Sequence, residues 1–375
     1  MLKVMTIVGT RPELIKMSRV ISVFDKYTNH VLAHTGQNYD YELNQVFFED
    51  LEIRQPDHFF EAKGGTAAQT IARVIEKADE VLKQEKPDAV LLYGDTNSCL
   101  AVIAAKRQKI PVFHMEAGNR CFDQRVPEEL NRRMLDHLSD INLVLTEHAR
   151  RYLIAEGIRP ETIIKTGSHM PEVLEYYMHK IKMSDILTRL NLKKHEYFII
   201  SAHREENVDS EENLGEFLNT LNGLAEAYNL PIVVSTHPRT QKRLNDLSTS
   251  DLHEQIKFLK PFGFSDYIKL QMEAACILSD SGTITEEASI LGLPAVALRQ
   301  AHERPEGMDA GTLIMTGLKR ARVLEAVEII IAQHQNHPGN LQNIDDYKPT
   351  IVSEKIVRIV ESYVDYINRV VWYKQ

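Results

Sequence analysis

Carboxylates, cations and a glycine turn recur directly after the apolar runs of this chain. Together they suit proton transfer beside an anionic leaving group. After the first run comes Gly9-Thr10-Arg11-Pro12-Glu13, with Lys16 one turn into the helix that follows. Gly94-Asp95-Thr96 follows the run at 89–93, and Glu116-Ala117-Gly118-Asn119-Arg120 follows the run at 112–115. Pro127-Glu128-Glu129 then opens a helix, with Asn131 and Arg132 behind it. In the second half, Ala202-His203-Arg204-Glu205-Glu206-Asn207, Thr236-His237-Pro238-Arg239 and Asp280-Ser281-Gly282-Thr283 each close an apolar run.

Asp95, Glu116 and Glu128 are the candidates for proton transfer. Asp95 also suits a cap on a helix starting near Thr96, and Glu128 suits first-turn compensation of a helix dipole. Glu116 follows a buried strand with no periodic pattern around it, which makes it the first choice for a base. Arg11, Lys16, Arg120 and His203 could supply positive charge to a departing anion. Each alone also reads as a solvated surface charge. The Ser281-Gly282-Thr283 turn joins a strand to a helix over 284–291, so its backbone N–H groups and the helix dipole suit a phosphate or diphosphate. Glu287, one turn further on, is placed to accept from sugar hydroxyls. An ordinary N-cap at Ser281 and an ordinary tight turn at Gly282 explain the same residues equally well.

These side chains need elements to hold them, and the apolar pattern supplies candidates. It predicts strands over 4–8, 31–34, 89–93, 112–115 and 141–145, then over 197–201, 232–235, 256–259, 277–279 and 295–298. Helical patterns lie between them, over 68–83, 129–138, 212–228 and 320–333 among others. Strands apolar throughout and separated by helices imply parallel sheets covered on both faces. With 375 residues, this many units predict an α/β fold of two Rossmann-like doubly wound domains. The strand rhythm stops between Gly167 and Lys193, which places the seam there. A last helix over 351–373 has no strand after it and is free to cross back to the first domain. In such sheets ligands sit beyond the carboxyl ends of the strands, where the polar residues cluster.

Composition narrows the classes. Hydrophobic residues make up 43% and charged residues 26%, an ordinary globular balance. The formal net charge of −9 disfavours nucleic acid and anionic membranes as partners. No apolar run approaches the roughly 18 residues of a membrane span, and the start reads as a strand, so the expectation is a soluble cytoplasmic protein. Three scattered cysteines argue against a disulfide scaffold or a thiolate zinc site. The 15 histidines show no ligand spacing, so no metal is expected. No Gly-x-Gly-x-x-Gly, phosphate loop, Gly-x-Ser-x-Gly or His-Glu-x-x-His is present, which disfavours a nicotinamide cofactor and the corresponding hydrolases.

Taken in order, the motifs resemble a known family. They are Gly-Thr-Arg-Pro-Glu at 9–13, Gly-Asp-Thr at 94–96, His-Met-Glu-Ala-Gly at 114–118 and Pro-Glu-Glu-Leu-Asn-Arg at 127–132. Ala-His-Arg at 202–204, Asp-Ser-Gly-Thr-Ile-Thr-Glu-Glu at 280–287 and Glu-Arg-Pro-Glu at 303–306 complete the set. Over nearly the whole chain the sequence is similar to the non-hydrolysing UDP-N-acetylglucosamine 2-epimerases. The resemblance implies a GT-B-like pair of domains with a UDP-sugar in the cleft between them, no cofactor, and a homodimer. It implies a domain over 1–168 carrying the acid/base residues and a UDP-binding domain over 169–351, with the helix at about 352–375 packing back on the first. It assigns acid/base roles to Asp95, Glu116 and Glu128, and diphosphate contact with an acid role to His203. Arg11, Lys16, Arg120, His237, Ser281, Gly282, Glu287 and Arg304 become substrate contacts. The implied chemistry is elimination and re-addition of UDP through a 2-acetamidoglycal.

The sequence also departs from common members. Asn119 and Cys121 flank Arg120 where the typical enzyme has Leu and Thr, and the stretch before Pro127 is short. Gln37-Asn38-Tyr39-Asp40 and Glu205 differ from the residues usual at the family's allosteric UDP-GlcNAc site. Glu-Ala-Gly-Asn-Arg-Cys-Phe-Asp-Gln-Arg-Val-Pro-Glu-Glu at 116–129 resembles the branch that makes UDP-N-acetyl-L-fucosamine from UDP-2-acetamido-2,6-dideoxy-L-talose for surface polysaccharides. The UDP-GlcNAc/UDP-ManNAc reaction is the alternative within the family. A GT-B glycosyltransferase is the alternative outside it.

Overall fold

Strands that are apolar at every position need cover on both faces, and a parallel sheet between helix layers provides it. The chain builds two such sheets. The structure, a computed structural model, describes residues 1–36, 48–202, 204–208, 210–236, 238–245, 252–301, 303–337, 344–348 and 350–374. The first sheet contains β1 (Lys3–Val8), β2 (Asn29–His34), β3 (His58–Phe59), β4 (Ala89–Tyr93), β5 (Val112–Met115), β6 (Ile141–Val144) and β7 (Ile163–Lys165). Their spatial order is β3-β2-β1-β4-β5-β6-β7. The second contains β8 (Phe198–Ser201), β9 (Ile232–Ser235), β10 (Ile256–Leu259), β11 (Cys276–Ser279), β12 (Ala295–Ala297) and β13 (Ile314–Met315), in the order β10-β9-β8-β11-β12-β13. The pairings of both sheets are parallel.

The period of two along each strand divides the core. In the first sheet Met5, Ile7, Val31, Ala33, Val90 and Leu92 meet Val74, Ala78 and Leu82 of the helix Ala67–Glu85. In the second, Phe198, Ile200, Val234 and Leu278 meet Phe217 and Leu221 of the helix Glu211–Tyr228 and Val323 and Val327 of the helix Arg320–Asn336. The alternate residues Ile199, Val233 and Ile277 face the other way, toward Leu270 and Ala288.

The chain divides into a unit of Met1–Tyr176 with Asp346–Gln375 and a unit of Tyr177–Asp345. The first unit is therefore discontinuous. The helix Val352–Val370 packs on the helix Arg11–Tyr27 and buries Ile356, Val360, Val364 and Ile367. Each such side chain contributes about 1.5–3 kcal/mol when removed from water. Its N-terminal amides have no partner within the helix. Glu172 supplies one, accepting from Val352 N and Ser353 N at 2.9 Å each. Lys355 Nζ donates to Lys165 O at 2.6 Å, fastening the same helix to the β7 edge. Among the described residues, no helix is long and apolar enough to cross a membrane.

In each sheet the strand order reverses at one place, between β1 and β4 and between β8 and β11. Loops at such a switch point diverge and leave a crevice beyond the strand ends. Gly9–Glu13 and Gly94–Thr96 flank the first, and Arg204 and Asp280–Thr283 flank the second.

Candidate active site

At the end of β1 the chain turns against neighbouring hydroxyls. A Cβ on Gly9 would lie 1.9 Å from Ser98 Oγ and 2.1 Å from Thr35 Oγ1, so only glycine fits. Those two hydroxyls hydrogen-bond each other at 2.8 Å. Thr10 is the extended N-cap of the helix Arg11–Tyr27, and Pro12 occupies its first turn. Glu13 folds back, with Oε2 accepting from Gly9 N at 2.6 Å and Oε1 accepting from Thr96 Oγ1. One buried carboxylate thereby ties the β1 turn to the β4 turn. The spacing Thr10-x-x-Glu13 is that of a capping box and could have singled it out.

Burial pushes the Glu13 carboxyl up to about 7, against the donors from Thr96 and Gly9 that favour its charged form. Its stabilising, neutral state is thus fully present below pH 4.5 and is lost as pH rises through about 7. Glu13→Gln keeps an acceptor and a donor but cannot ionise. Relative to wild type it should gain stability on the order of 3 kcal/mol between pH 5 and pH 8. Thermal melts of both proteins across that range check this, and a pH-independent difference would refute it.

The carboxyl ends of β4 and β5 carry the next groups. Gly94 and Gly118 have φ of 67° and 82°, and between them Glu116 adopts φ of 63°. A left-handed non-glycine residue costs on the order of 1–2 kcal/mol, and such residues cluster where geometry serves function. Lys16 Nζ lies 2.7 Å from Glu116 Oε2, and the Tyr93 hydroxyl donates to the same oxygen. The Lys16 ammonium is also 5.5 Å from the centroid of the Tyr93 ring. Asp95 follows two residues after Tyr93, and its Oδ2 accepts from Arg132 at 2.6 and 3.1 Å. It does not cap the next turn. Thr96 does that, with Oγ1 accepting from Ser98 N. Burial pushes the Cys99 thiol well up, and the negative charges of Glu13, Asp95 and Glu116 push it further, which marks how closely these carboxylates crowd.

Behind this cluster lies a buried network that the sequence reading did not single out. Asp136, from the helix Pro127–Leu138, accepts from His114 at 2.8 Å, Arg120 at 2.7 Å and Gly118 N at 3.2 Å. His114 reaches Gly94 O with its other ring nitrogen at 2.9 Å. Burial raises the Asp136 carboxyl, but the His114 hydrogen bond and the charges of His114 and Arg120 prevail and hold it below the ordinary range. The network sets the turns that follow β4 and β5. Arg120, expected as a substrate contact, lies within this network. Its side chain has no exposed surface, and it is bound to Asp136, to Glu156 at 2.8 and 2.6 Å and to Asn119 O. The guanidinium is thus the counter-ion of two carboxylates.

The remaining predicted residues of this unit are more open. Arg11 is half-buried at the first position of its helix, and Glu128 is half-buried in the first turn of the helix Pro127–Leu138. Its neighbour Glu129 is the buried one, accepting from Cys121 N and Arg132 at 3.1 Å each. His203, His237 and Gln37-Asn38-Tyr39-Asp40 lie outside the described residues.

In the second unit the turn after β11 leads into the helix Thr283–Leu291. Gly282 is its N-cap, and Ser281 Oγ accepts from Thr283 N at 3.4 Å and meets Thr283 Oγ1 at 3.0 Å. A cavity opens beside this turn, lined by Ser281, Gly282, Arg299, Glu303 and Arg304, with Met308, Leu313 and Met315 among its apolar surfaces. Glu303 Oε1 accepts from Arg204 at 2.9 Å and from Arg299 at 3.1 Å. Arg304 pairs with the fully buried Glu286 at 3.0 Å. Glu287, one position on, is half-buried and accepts from Gln271 Nε2 at 2.8 Å. Arginines, helix-end amides and an apolar surface at one cavity suit a ligand that joins an anion to a flat apolar group.

Comparison with known proteins places the chain in a family. Residues 24–361 match the family model described as UDP-N-acetylglucosamine 2-epimerase. A structure of UDP-N-acetylglucosamine 2-epimerase from Rickettsia bellii is similar over 100% of both chains, at 62% identity and a TM-score of 0.93. The Methanocaldococcus jannaschii UDP-GlcNAc 2-epimerase, crystallised with UDP-GlcNAc and UDP, is similar at 33% identity and a TM-score of 0.89, over 96% of this chain and 100% of that one. The UDP-2,3-diacetamido-2,3-dideoxy-D-glucuronate 2-epimerase of Pseudomonas aeruginosa is 32% identical over 346 residues, covering 91% of this chain and 95% of its own. Since the match runs through both units, the chain belongs to the UDP-N-acetylglucosamine 2-epimerase family of non-hydrolysing isomerases.

Proposed function

We propose that the chain inverts C2 of a UDP-2-acetamido sugar by eliminating UDP and adding it back. The observation that carries this reading is the Glu116 carboxylate, held by Lys16 and Tyr93 at a strained backbone position. C2 has no carbonyl beside it, so its proton is poorly acidic and direct abstraction is slow. Elimination removes that difficulty. Glu116 takes the C2 proton, the C–H electron pair becomes the C1=C2 bond, and the C1–O bond breaks with its pair going to UDP. Asp95 or Glu128 returns a proton to the opposite face while a diphosphate oxygen attacks C1. The step balances without an oxidant. The second unit's cavity supplies arginines and the Ser281-Gly282 turn for the nucleotide diphosphate.

The substrate we favour is UDP-2-acetamido-2,6-dideoxy-L-talose, giving UDP-N-acetyl-L-fucosamine, because the stretch at 116–129 has the form described above. The names of the Rickettsia and Methanocaldococcus relatives favour UDP-GlcNAc/UDP-ManNAc interconversion as the second reading. Incubating the protein with each UDP-sugar in deuterated water, without any acceptor, separates the two. The productive substrate should take up deuterium at C2. Oxygen-18 in its C1–O–P bridge should scramble into non-bridging positions. Deuterium uptake with an unscrambled bridge would disprove elimination, and turnover that requires an acceptor would indicate a transferase.

A further inference from the structure

We propose that Tyr93 is a positioning residue for the proton-abstracting carboxylate, its hydroxyl and the Lys16 ammonium together fixing Glu116 Oε2. This inference rests on the epimerase reading given above. Tyr93 closes β4, whose other residues Ala89, Val90, Leu91 and Leu92 are all apolar and buried. Phenylalanine would fill the same space in that strand, so the hydroxyl is the feature to explain. It donates to Glu116 Oε2, the oxygen that also meets Lys16 Nζ at 2.7 Å.

The ring has little freedom to take the hydroxyl elsewhere. His169 stands edge-on to it, with centroids 5.3 Å apart and planes at 80°. The Lys16 ammonium lies 5.5 Å from its centroid, and the Tyr93 carbonyl accepts from Cys99 Sγ at 2.9 Å. An ammonium on a four-carbon stem fixes charge but not direction. A phenol on a clamped ring adds direction. Donors aimed at the charged form of a carboxylate also favour that form, which is the form that can take a proton from carbon. Among the described residues, the titratable groups around the pair include Lys16 from the first helix, His169 at the start of the helix Met170–Met183, and Cys99 from the turn after β4. Glu13 and Asp95 act on Cys99 along with Glu116.

The test uses the full-length chain and whichever UDP-2-acetamido sugar the wild type epimerises. Tyr93→Phe should lower kcat by about 10- to 100-fold, the scale of a mispositioned reacting group, with KM within about twofold. Losing a donor raises the affinity of Glu116 for its proton, so the acid limb of the kcat profile should move to higher pH. The deuterium isotope effect at C2 should rise. Replacing Tyr93 with 3-fluorotyrosine keeps the ring and strengthens the donor, so the same limb should move to lower pH. UDP affinity and melting temperature, measured alongside, should stay near wild type. A limb that stays in place in both variants, or a raised KM with unchanged kcat, would overturn the proposal and leave Tyr93 as packing. A wild type that epimerises no UDP-sugar would fail the underlying reading instead.

Discussion

Glu116→Gln is expected to lower kcat by about 100- to 10,000-fold while UDP binds nearly as tightly as before. The side chain keeps its size, and an amide oxygen can still accept from Lys16 or Tyr93, so the turn after β5 retains its partners. What disappears is the basic carboxylate. The nucleotide contacts proposed above, Ser281, Gly282 and Arg304, lie in the other unit of the chain. Steady-state rates on the productive UDP-sugar, with calorimetric titration of UDP, measure the two effects separately. Collapse of UDP affinity with kcat preserved would show that Glu116 binds nucleotide and does no proton chemistry.

Asp136→Ala should cost about 3–5 kcal/mol of stability, the usual scale for removing one member of a buried ion-pair network. The substitution takes one of two carboxylates from the buried Arg120 guanidinium and removes the acceptor shared by the His114 ring and the Gly118 amide. The pH dependence follows from the direction of the shift. Asp136 is held below the ordinary carboxylate range, so its contribution is present above the unfolded value of 3.8 and is lost as pH falls through the folded one. Denaturant midpoints should therefore differ most between wild type and Asp136→Asn near neutrality and converge in acid. A loss below about 1 kcal/mol at neutral pH would mean that the network contributes little to folding.

The outcome divides along physical lines. The central strands were legible because burial on both faces makes them continuously apolar, and β4, β5 and β9 have the bounds that pattern predicted, as does the edge strand β10. The three strands without a sequence signal are β3, β7 and β13. All three are two or three residues long and lie at sheet edges, where one neighbour is missing and no apolar run is required. Glu116 stood out because a carboxylate directly after a buried strand has no structural excuse. Tyr93 did not, since its apolar ring satisfies the strand pattern and hides the hydroxyl. Asp136 reads as an ordinary helix acid, and nothing local shows that a histidine on β5 and an arginine beyond it converge there. The ion pairs of Arg120 were hidden for the same reason. Charge is visible in a sequence, but the partner that neutralises it across 16 positions is not.

The discontinuous first unit has a consequence for how the protein comes into being on the ribosome. β1 leaves the exit tunnel before the second unit is made, yet the helix that covers the Arg11–Tyr27 helix is made only after that unit. The second unit is encoded without interruption and can close while synthesis continues. The first must wait with Ile356, Val360, Val364 and Ile367 still missing from its surface. Contacts so distant along the chain form slowly, and apolar faces left uncovered meanwhile invite aggregation. A nascent chain that stalls before Asp346 should therefore be a client of chaperones, whereas one from which Val352–Val370 has also emerged should no longer need them.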